Sequence, residues 1–170
     1  NDGHARQDKD EGALKIRYWR RYETENYFIT PDLLRRYARA QYPADDLFAQ
    51  DTRTTIEETL KAVVTELAFD GNPSDYDAWQ HLPQDAGRLL WEAKTERRKL
   101  STLAEAFFRQ LAQRLGGSML LTKGELHRLV AHADLSVSAR TEVQQKLSLL
   151  EALFLHAHQR GEQVPTTQQT

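Results

Sequence analysis

The sequence lacks cysteine altogether and has one methionine, Met119, with only five prolines and eight glycines in 170 residues. Without cysteine the chain can form no disulfide bond, no thiolate metal site and no cysteine nucleophile. Proteins without disulfides are common in reducing compartments, so we expect a cytoplasmic location. No run reaches the roughly 18 apolar residues of a membrane span. The polar first residues do not resemble a signal peptide, and we expect no membrane partner.

An excess of charge of one sign is also missing. The chain carries 23 Lys and Arg against 25 Asp and Glu, which gives a formal net charge of −2. Overall basicity, the simplest sign of a nucleic-acid-binding protein, is therefore absent, although a local basic surface remains compatible with these numbers. Apolar residues make up 39% of the chain, which is enough for a hydrophobic core. Composition predicts a globular domain and does not point to an activity.

The apolar pattern predicts a mainly α fold with a short β-like N-terminal element. Residues 1–12 show no periodicity and are predicted to be a loop, whereas Leu14, Ile16 and Tyr18 alternate with charged residues as in a half-buried strand. Residues 20–29 mix charge and aromatics, and we expect a second extended stretch or an irregular crossing there. Downstream we expect a helical domain of about five or six helices.

Helix start and stop signals mark most of these helices. They are the Thr30-Pro31-Asp32 start, a helix over about residues 54–69, a stretch around Trp91 that ends at Arg97-Arg98-Lys99, the capping-box pairs Thr102/Glu105 and Thr122/Glu125, the stop at Gly116-Gly117, and a last helix from about Ser138. The last helix carries Leu147, Leu150, Leu153 and Phe154 at helical spacing, a stripe that usually packs into a core. After residue 160 the polar tail, 161–170, is predicted to be flexible.

The histidines do not predict a metal site. The pairs His127/His132 and His156/His158 are five and two residues apart, and neither spacing places two imidazoles on one helix face. A glycine-rich phosphate loop is also missing, since Gly116-Gly117 fits a helix stop. The chain is therefore predicted to carry no nucleotide-binding machinery of its own.

Two acidic residues form the best candidate for chemistry. Glu23 and Glu25 are two apart, so in an extended chain both carboxylates would point to the same side. Such a pair suits a hard divalent cation such as Mg²⁺ or Mn²⁺. The alternative is that both acids pair with the neighbouring Arg17, Arg20 and Arg21.

Basic residues form two small groups that could contact a phosphate backbone. One is Arg97, Arg98 and Lys99, and the other, on the first predicted helix, is Arg35, Arg36 and Arg39. A solvated helix face is the simpler interpretation of each group, because acidic residues are interspersed with them. DNA is therefore a candidate partner only if both groups fall on one side.

The segment Tyr18-Trp19-Arg20-Arg21-Tyr22-Glu23-Thr24-Glu25-Asn26-Tyr27 resembles a stretch of ABC-like AAA ATPases that carry a C-terminal Toprim-like nuclease domain, relatives of the overcoming-lysogenization-defect (OLD) family. In that family a strand ends in an Arg-Glu-hydrophobic-Glu-Asn-Tyr pattern, and here Thr24 stands at the hydrophobic position. Lys123-Gly124-Glu125 is similar to a Lys-Gly-Glu segment of the helical region that follows. Asn1-Asp2-Gly3 is similar to the end of the Toprim Asp-x-Asp motif.

The resemblance implies a divided chain and a metal-dependent activity of a larger parent protein. Residues 1–30 would be the C-terminal end of a Toprim-like domain, and 31–160 the helical domain. Asp2 and Glu25 would be metal ligands, and Glu25 with Glu23 the catalytic acids. Contacts to DNA would come from basic residues, namely Arg20, Arg21, Arg35, Arg36, Arg97, Arg98, Lys99 and Lys123.

The leading hypothesis is therefore the C-terminal segment of an ATP-dependent, divalent-metal-dependent DNA nuclease that acts in defence against foreign DNA. Alone it should be inactive, because ATP would bind only in the parent, and the rest of the parent chain would be its partner. The absence of an initiator methionine favours a piece of a longer protein. The alternative is a non-enzymatic helical module that binds protein or DNA, and a homo-oligomer is then expected if the last helix dimerises.

Overall fold

The computed structural model describes residues 9–11, 14–16, 21–42 and 49–161, and it gives no side-chain surroundings for 9–11, 14–16, 137–138 and 157–161. The chain divides into two compact units. One comprises Trp19–Asp134, and the other comprises the two chain ends, Asn1–Tyr18 and Leu135–Thr170. The boundaries predicted at residues 30 and 160 remain a prediction.

The central unit is helical. It contains α1 (Pro31–Gln41), α2 (Ala49–Ala68), α3 (Pro73–Gln80), α4 (Gln84–Thr95), α5 (Leu100–Leu115) and two 3₁₀ segments, Thr24–Tyr27 and Lys123–His132. The mainly α prediction is confirmed.

The unit formed by the chain ends contains a short hairpin and one long helix. Strands β1 (Lys9–Glu11) and β2 (Leu14–Ile16) pair antiparallel, with Lys9 opposite Ile16. Because β1 falls within residues 1–12, the prediction of a loop is wrong there. Helix α6 spans Val137–Gly161, close to the predicted start at Ser138. The predicted flexible tail lies outside the described residues, apart from Gly161.

Local signals explain several helix ends. The Thr30 hydroxyl accepts a hydrogen bond from the Leu33 N–H at 3.1 Å, and Pro31 follows at the first helical position, as predicted. Gly116 ends α5 with φ of 66°, a left-handed conformation that favours glycine. These ends were predictable because each depends on residues within one turn.

Other helix starts differ from the prediction. Helix α5 begins at Leu100, not at the predicted Thr102/Glu105 capping box, and its N-cap residue Lys99 supplies no side-chain hydrogen bond. Helix α2 begins at Ala49, earlier than predicted. Helix α3 was not predicted, although the Asn72 side chain caps it by accepting from Ser74 N–H at 3.1 Å.

The core of the central unit is built around α5. Helix α5 packs against α2, and both 3₁₀ segments also contact α5. The buried side chains on these elements include Ile56, Leu60, Val64, Leu103, Phe107, Phe108, Leu111, Leu126 and Leu129. A second cluster joins α2, α3 and α4 through ring contacts of Phe69, Tyr76, Trp79 and Trp91. The two 3₁₀ segments, which carry the resemblance motifs, are thus fixed to one buried helix.

The apolar stripe of α6 does not form a core. Leu147, Leu150 and Phe154 are 51%, 41% and 74% exposed, and Leu153 is half-buried. The prediction that this stripe is buried is therefore wrong for these three residues. Helical spacing identifies the stripe, but it does not say what packs against it.

Candidate functional site

The predicted catalytic segment is a 3₁₀ turn and not an extended strand. Residues Thr24–Tyr27 form the turn, and Glu23 precedes it with extended backbone, φ −134° and ψ 160°. The prediction of an extended stretch over residues 20–29 is therefore wrong at this point. The two carboxylates do not lie on one side of a strand. Glu23 and Glu25 instead have different surroundings.

Asn26 anchors this turn to the junction between α4 and α5. It is only 4% exposed, and its Nδ2 donates to Thr95 O and to Arg98 O, both at 2.9 Å. Its Oδ1 accepts from Leu100 N–H at 3.4 Å. The amide therefore bonds Thr95 O, the last carbonyl of α4, which also accepts from Arg98 N–H at 3.0 Å. It also bonds Arg98 O in the following connection and the first N–H of α5, which has no partner within its own helix.

Glu23 completes the cap of α5. Its Oε2 accepts from Ser101 N–H at 3.2 Å, which places a carboxylate at the positive end of the helix dipole. The next N–H groups, of Thr102 and Leu103, donate to Lys99 O. The start of α5 is thus capped by residues about 75 positions earlier in the chain, which explains why Lys99 contributes no side chain.

Glu25 has a different role from Glu23. Its backbone oxygen accepts from Phe28 N–H at 3.2 Å and from Ile29 N–H at 2.9 Å, so the main chain is fixed. Its side chain is half-buried, and within the described part of the chain the carboxylate has no hydrogen-bond or ion-pair partner. Of the two acids, Glu25 is the one available to a ligand.

Arg21 supports the same turn. Its Nη1 donates to Asn26 O at 2.7 Å, its Nη2 lies 3.3 Å from Glu92 Oε1, and its guanidinium lies 5.1 Å from the centre of the Tyr27 ring. The expectation that arginine pairs with Glu23 or Glu25 does not hold for Arg21. Two further predicted residues, Asp2 and Arg20, lie outside the described residues.

Arg98, one of the predicted DNA contacts, joins the end of α4 to the end of α2 and the turn that follows α2. Its Nε donates to Lys94 O at 3.0 Å, its Nη1 to Leu67 O at 3.1 Å, and its Nη2 to Asp70 Oδ1 at 2.7 Å. The guanidinium holds the pKa of the Asp70 carboxyl below its usual value, first by the hydrogen bond and then by its charge. Most of the donors of Arg98 are therefore used within the fold.

The neighbours of Arg98 face water. Arg97 and Lys99 are both exposed, and Lys99 Nζ lies 5.9 Å from the centre of the exposed Tyr22 ring. Lys123 is exposed at the start of the second 3₁₀ segment. Within the described residues these three cations have no ion-pair partner, and they are the cations best placed to meet a phosphate.

The arginines of α1 are engaged by acids. Arg35 Nε contacts both carboxylate oxygens of Glu57, at 2.9 and 3.0 Å, and the guanidinium also pairs with Asp32. Arg36 lies 3.0 Å from Asp134 Oδ2 and donates to His132 O at 3.2 Å. Arg36 is half exposed, so its pair with Asp134 is weak and can open to another anion.

The Lys-Gly-Glu segment is held by Thr122 and by buried leucines. The Glu125 carboxylate accepts from the Thr122 N–H at 3.0 Å and from the Thr122 hydroxyl at 2.7 Å, and these bonds lower the pKa of Glu125. Leu126 and Leu129 are fully buried. Glu125 was predicted as a helix-start residue, and the segment it starts is 3₁₀ and not α.

The described residues do not form a complete binding site for a divalent cation. No group of three His, Asp or Glu side chains converges within them, whereas Mg²⁺ and Ca²⁺ need several oxygen ligands. Glu25 can supply one carboxylate, and Glu23 is already used in a cap. The described residues therefore do not fit a metal centre by themselves, and no reaction step through a metal follows from them.

A cavity of about 390 Å³ lies between the end of α1 and the start of α2. Arg39, Tyr42, Thr52 and Arg53 contribute its polar lining, and burial raises the pKa of the Tyr42 hydroxyl. The Arg39 guanidinium lies 2.9 Å from Glu57. Of the basic residues considered as phosphate contacts from the sequence, Arg39 lines this cavity.

Asn26 is the site residue that the sequence analysis missed. It stands within the motif that carries the family resemblance, but only the acids and arginines around it were given roles. A lone asparagine gives no signal of its contacts, because its partners lie about 70 residues away.

Comparison with known proteins gives no match: no family model, no curated protein and no solved structure is significantly similar to this chain. Among the described helices, none combines the length and the apolar character that crossing a membrane requires.

Proposed function

We propose that this chain is the C-terminal segment of an ATP-dependent, divalent-metal-dependent DNA nuclease, inactive alone, whose parent acts in defence against foreign DNA. The proposal starts from the resemblance of the motifs around Glu25 and Lys123 to OLD-family nucleases. It includes the assignment of residues 1–30 to a Toprim-like domain and a cytoplasmic location. The observation that supports it best is the half-buried Glu25 carboxylate, which has no hydrogen-bond or ion-pair partner among the residues that the structure describes.

The surroundings of Glu25 support a ligand role because the turn is fixed before any ligand binds. Asn26 holds the turn to α4 and α5, and the Glu25 carbonyl is used in two backbone hydrogen bonds. A carboxylate on such a support needs little reorganisation to bind a cation. Glu23 keeps a role in the proposed site because its contact with Ser101 N–H at the start of α5 helps to hold the turn in place.

The metal would be Mg²⁺ or Mn²⁺, and its remaining ligands would have to come from outside the described residues. Asp2 is the candidate within this chain. The parent's other domains would supply the rest and would also bind ATP. This division of ligands agrees with a segment that is inactive alone.

DNA would be contacted by cations that the fold leaves exposed. Arg97, Lys99 and Lys123 fulfil this condition, whereas Arg21, Arg35 and Arg98 are engaged in internal contacts. Each phosphate contact that is lost should reduce the dependence of log K on log salt concentration by about one.

Cleavage of supercoiled plasmid by the parent protein in Mg²⁺ or Mn²⁺ tests the nuclease proposal. Glu25→Gln should reduce the rate at least ~100-fold, the scale at which a ligand or catalytic group matters. Glu23→Gln is the matched control, since its amide oxygen can still accept from Ser101 N–H, and it should retain most of the activity. Unchanged cleavage by Glu25→Gln would show that the assignment is wrong.

The gene sequence before residue 1 provides an independent test. An Asp codon directly before Asn1 would complete the Asp-x-Asp motif, and a phosphate-binding loop further upstream would supply the ATPase. An upstream sequence with neither feature would remove the basis of the proposal.

Binding of a labelled DNA duplex by this chain, followed by fluorescence anisotropy at increasing salt, tests the DNA contacts. We expect weak binding at low salt that Arg97→Ala and Lys99→Ala each reduce. Lys61→Ala is a matched control, because Lys61 is exposed but pairs with Asp77 at 2.7 Å. No binding at low salt would contradict a DNA-contacting role for these residues.

A second candidate function is a non-enzymatic protein-interaction module. It is favoured by the apolar side chains that α6 exposes, which include Leu147 and Phe154. Contiguous apolar surface of this kind is typical of interaction sites. This function does not exclude the first, since a nuclease segment can also bind a partner.

A further inference from the structure

The cavity between the end of α1 and the start of α2 combines arginines with hydroxyl groups. Its volume is about 390 Å³, and the described residues that give it a polar lining are Arg39, Tyr42, Thr52 and Arg53. This volume lies within the range of sites that bind small molecules. None of these four residues belongs to the motifs that carry the family resemblance, so the cavity is distinct from the proposed metal ligand Glu25.

Arg53 supplies a positive charge that the described residues do not balance. Its side chain is exposed, and it has no hydrogen-bond or ion-pair partner in the part of the chain that the structure describes. The described residues that line the cavity also include no carboxylate. A concave surface lined by charge of one sign attracts a ligand of the opposite sign.

Arg39 is a second guanidinium with donors to spare. Its Nη2 lies 2.9 Å from Glu57 Oε1, and its side chain is 47% exposed. Glu57 is shared with Arg35, whose Nε contacts both carboxylate oxygens. A guanidinium has five N–H donors, so most of the donors of Arg39 remain available to a ligand.

The other lining residues complete a site for an organic anion. Tyr42 and Thr52 are half-buried, and their hydroxyls have no hydrogen-bond partner among the described residues. Burial raises the pKa of the Tyr42 hydroxyl, which therefore stays protonated at neutral pH and can donate. The apolar lining comes from Ala40, Ala49 and Ile56.

We propose that this cavity binds an organic phosphate monoester, with the phosphate on Arg39 and Arg53 and the organic part against the apolar lining. A phosphate monoester presents three terminal oxygens and a charge of roughly −1.5 to −2 at neutral pH. It therefore suits two guanidinium groups and two hydroxyls better than a carboxylate, which has two oxygens and one charge. Side chains would take the place of the glycine-rich loop that the sequence lacks. The inference goes beyond the nuclease proposal and does not depend on it.

Titration calorimetry of the purified chain with adenosine 5′-monophosphate (AMP) tests the site. The buffer should contain EDTA, so that no metal at Glu25 contributes. We expect AMP to bind, and adenosine to bind at least ~10-fold more weakly, which is the scale of one hydrogen bond to a charged group. Equal affinities for AMP and adenosine would overturn phosphate recognition.

The phosphate could belong to a free small molecule or to the end of a DNA strand. A short oligonucleotide with a 5′-phosphate, compared with the same oligonucleotide ending in a 5′-hydroxyl, separates these sources. Stronger binding of the phosphorylated strand than of AMP identifies the strand end, and the reverse identifies a free ester. Binding of neither phosphorylated probe would overturn the site, but it would leave the cleavage predicted for Glu25→Gln untouched.

A pair of arginine variants locates the ligand. Arg53→Ala should weaken AMP binding at least ~10-fold with unchanged stability, because Arg53 makes no described contact within the fold. Arg109→Ala is the matched control, since Arg109 is an exposed arginine of α5 that does not line the cavity and has no partner among the described residues. It should leave the affinity within about twofold. Equal losses in the two variants would overturn the assignment of Arg53.

Amide chemical shifts provide a second readout that does not require a variant. Titration with AMP should shift the backbone amides of Thr52 and Arg53 and leave those of Glu25 and Asn26 unchanged. Thr52→Val removes the hydroxyl at nearly constant shape and should weaken AMP binding by about threefold to tenfold. Shifts confined to the surroundings of Glu25 would overturn the proposed cavity as the binding site.

Discussion

Replacing Asn26 by alanine should destabilise the central unit, because it removes all three hydrogen bonds of the Asn26 side chain. The substitution removes the two bonds that Nδ2 donates, each 2.9 Å long, and the weaker bond from Leu100 N–H at 3.4 Å. It also leaves the Thr95 and Arg98 carbonyls without this donor. Because Asn26 is 4% exposed, water cannot readily replace the lost amide.

The size of the effect follows from these three contacts. A buried hydrogen bond contributes about 1 kcal/mol net, and a partner left without a bond adds to the loss. Two strong bonds and one weak bond therefore give a loss of about 3 kcal/mol in the free energy of unfolding. This is a large part of the total stability of a small domain, which is roughly 5–15 kcal/mol.

Urea unfolding followed by tryptophan fluorescence measures this loss, since the buried Trp91 reports on α4. Asn26→Asp should be at least as destabilising, because it removes both donors and brings a carboxylate towards two carbonyls. The control Gln113→Ala, at an exposed position of α5, should change stability by less than ~0.5 kcal/mol. A loss below ~1 kcal/mol for Asn26→Ala would refute the anchoring role.

Three more predictions concern individual side chains. Glu23→Ala should lower the free energy of unfolding by ~1 kcal/mol, because the α5 cap is lost. Glu25→Ala should change the free energy of unfolding by less than ~0.5 kcal/mol. Equal losses for the two variants in urea titrations would contradict the assignment of different roles. Burial raises the pKa of Tyr76 to about 12, so Tyr76 ionises in the unfolded chain before it does in the folded one, and stability should fall between about pH 10 and 12. Tyr76→Phe should reduce this fall by ~2 kcal/mol. Identical stability profiles of the variant and the parent chain at alkaline pH would contradict this role of Tyr76. Arg98 lowers the pKa of Asp70, so this pair contributes stability above the unfolded pKa of Asp70, and the contribution is lost as pH falls through the lower folded pKa. Asp70→Asn should therefore show less loss of stability than the parent below about pH 4, and parallel acid profiles would contradict the pairing.

Helix ends that depend on adjacent residues could be predicted from the sequence. The Thr30 cap, Pro31 and the Gly116 stop all act within one turn, and each was placed correctly. The start of α5 could not be predicted in this way, because Asn26 and Glu23 cap it from a distant part of the chain. The Thr102/Glu105 pattern was a plausible local signal, and the distant cap overrode it.

The candidate site was predicted only in part for the same reason. The sequence identified the segment around Glu25, but spacing alone treated Glu23 and Glu25 as equivalent. Their difference depends on Ser101 N–H, which only the tertiary fold brings to Glu23. The exposure of the α6 stripe could not be predicted either, because periodicity identifies an apolar face but not what packs against it.

We propose that Glu25 binds a metal whereas Glu23 stabilises the fold, and cleavage of DNA by the parent protein can separate these two roles. Rates of plasmid cleavage in Mg²⁺ and Mn²⁺ should be measured for the parent, Glu25→Gln and Glu23→Gln, with urea stability measured on the same preparations. We expect Glu25→Gln to reduce the cleavage rate at least ~100-fold with unchanged stability, and Glu23→Gln to retain cleavage. Full activity of a stable Glu25→Gln protein would contradict this expectation.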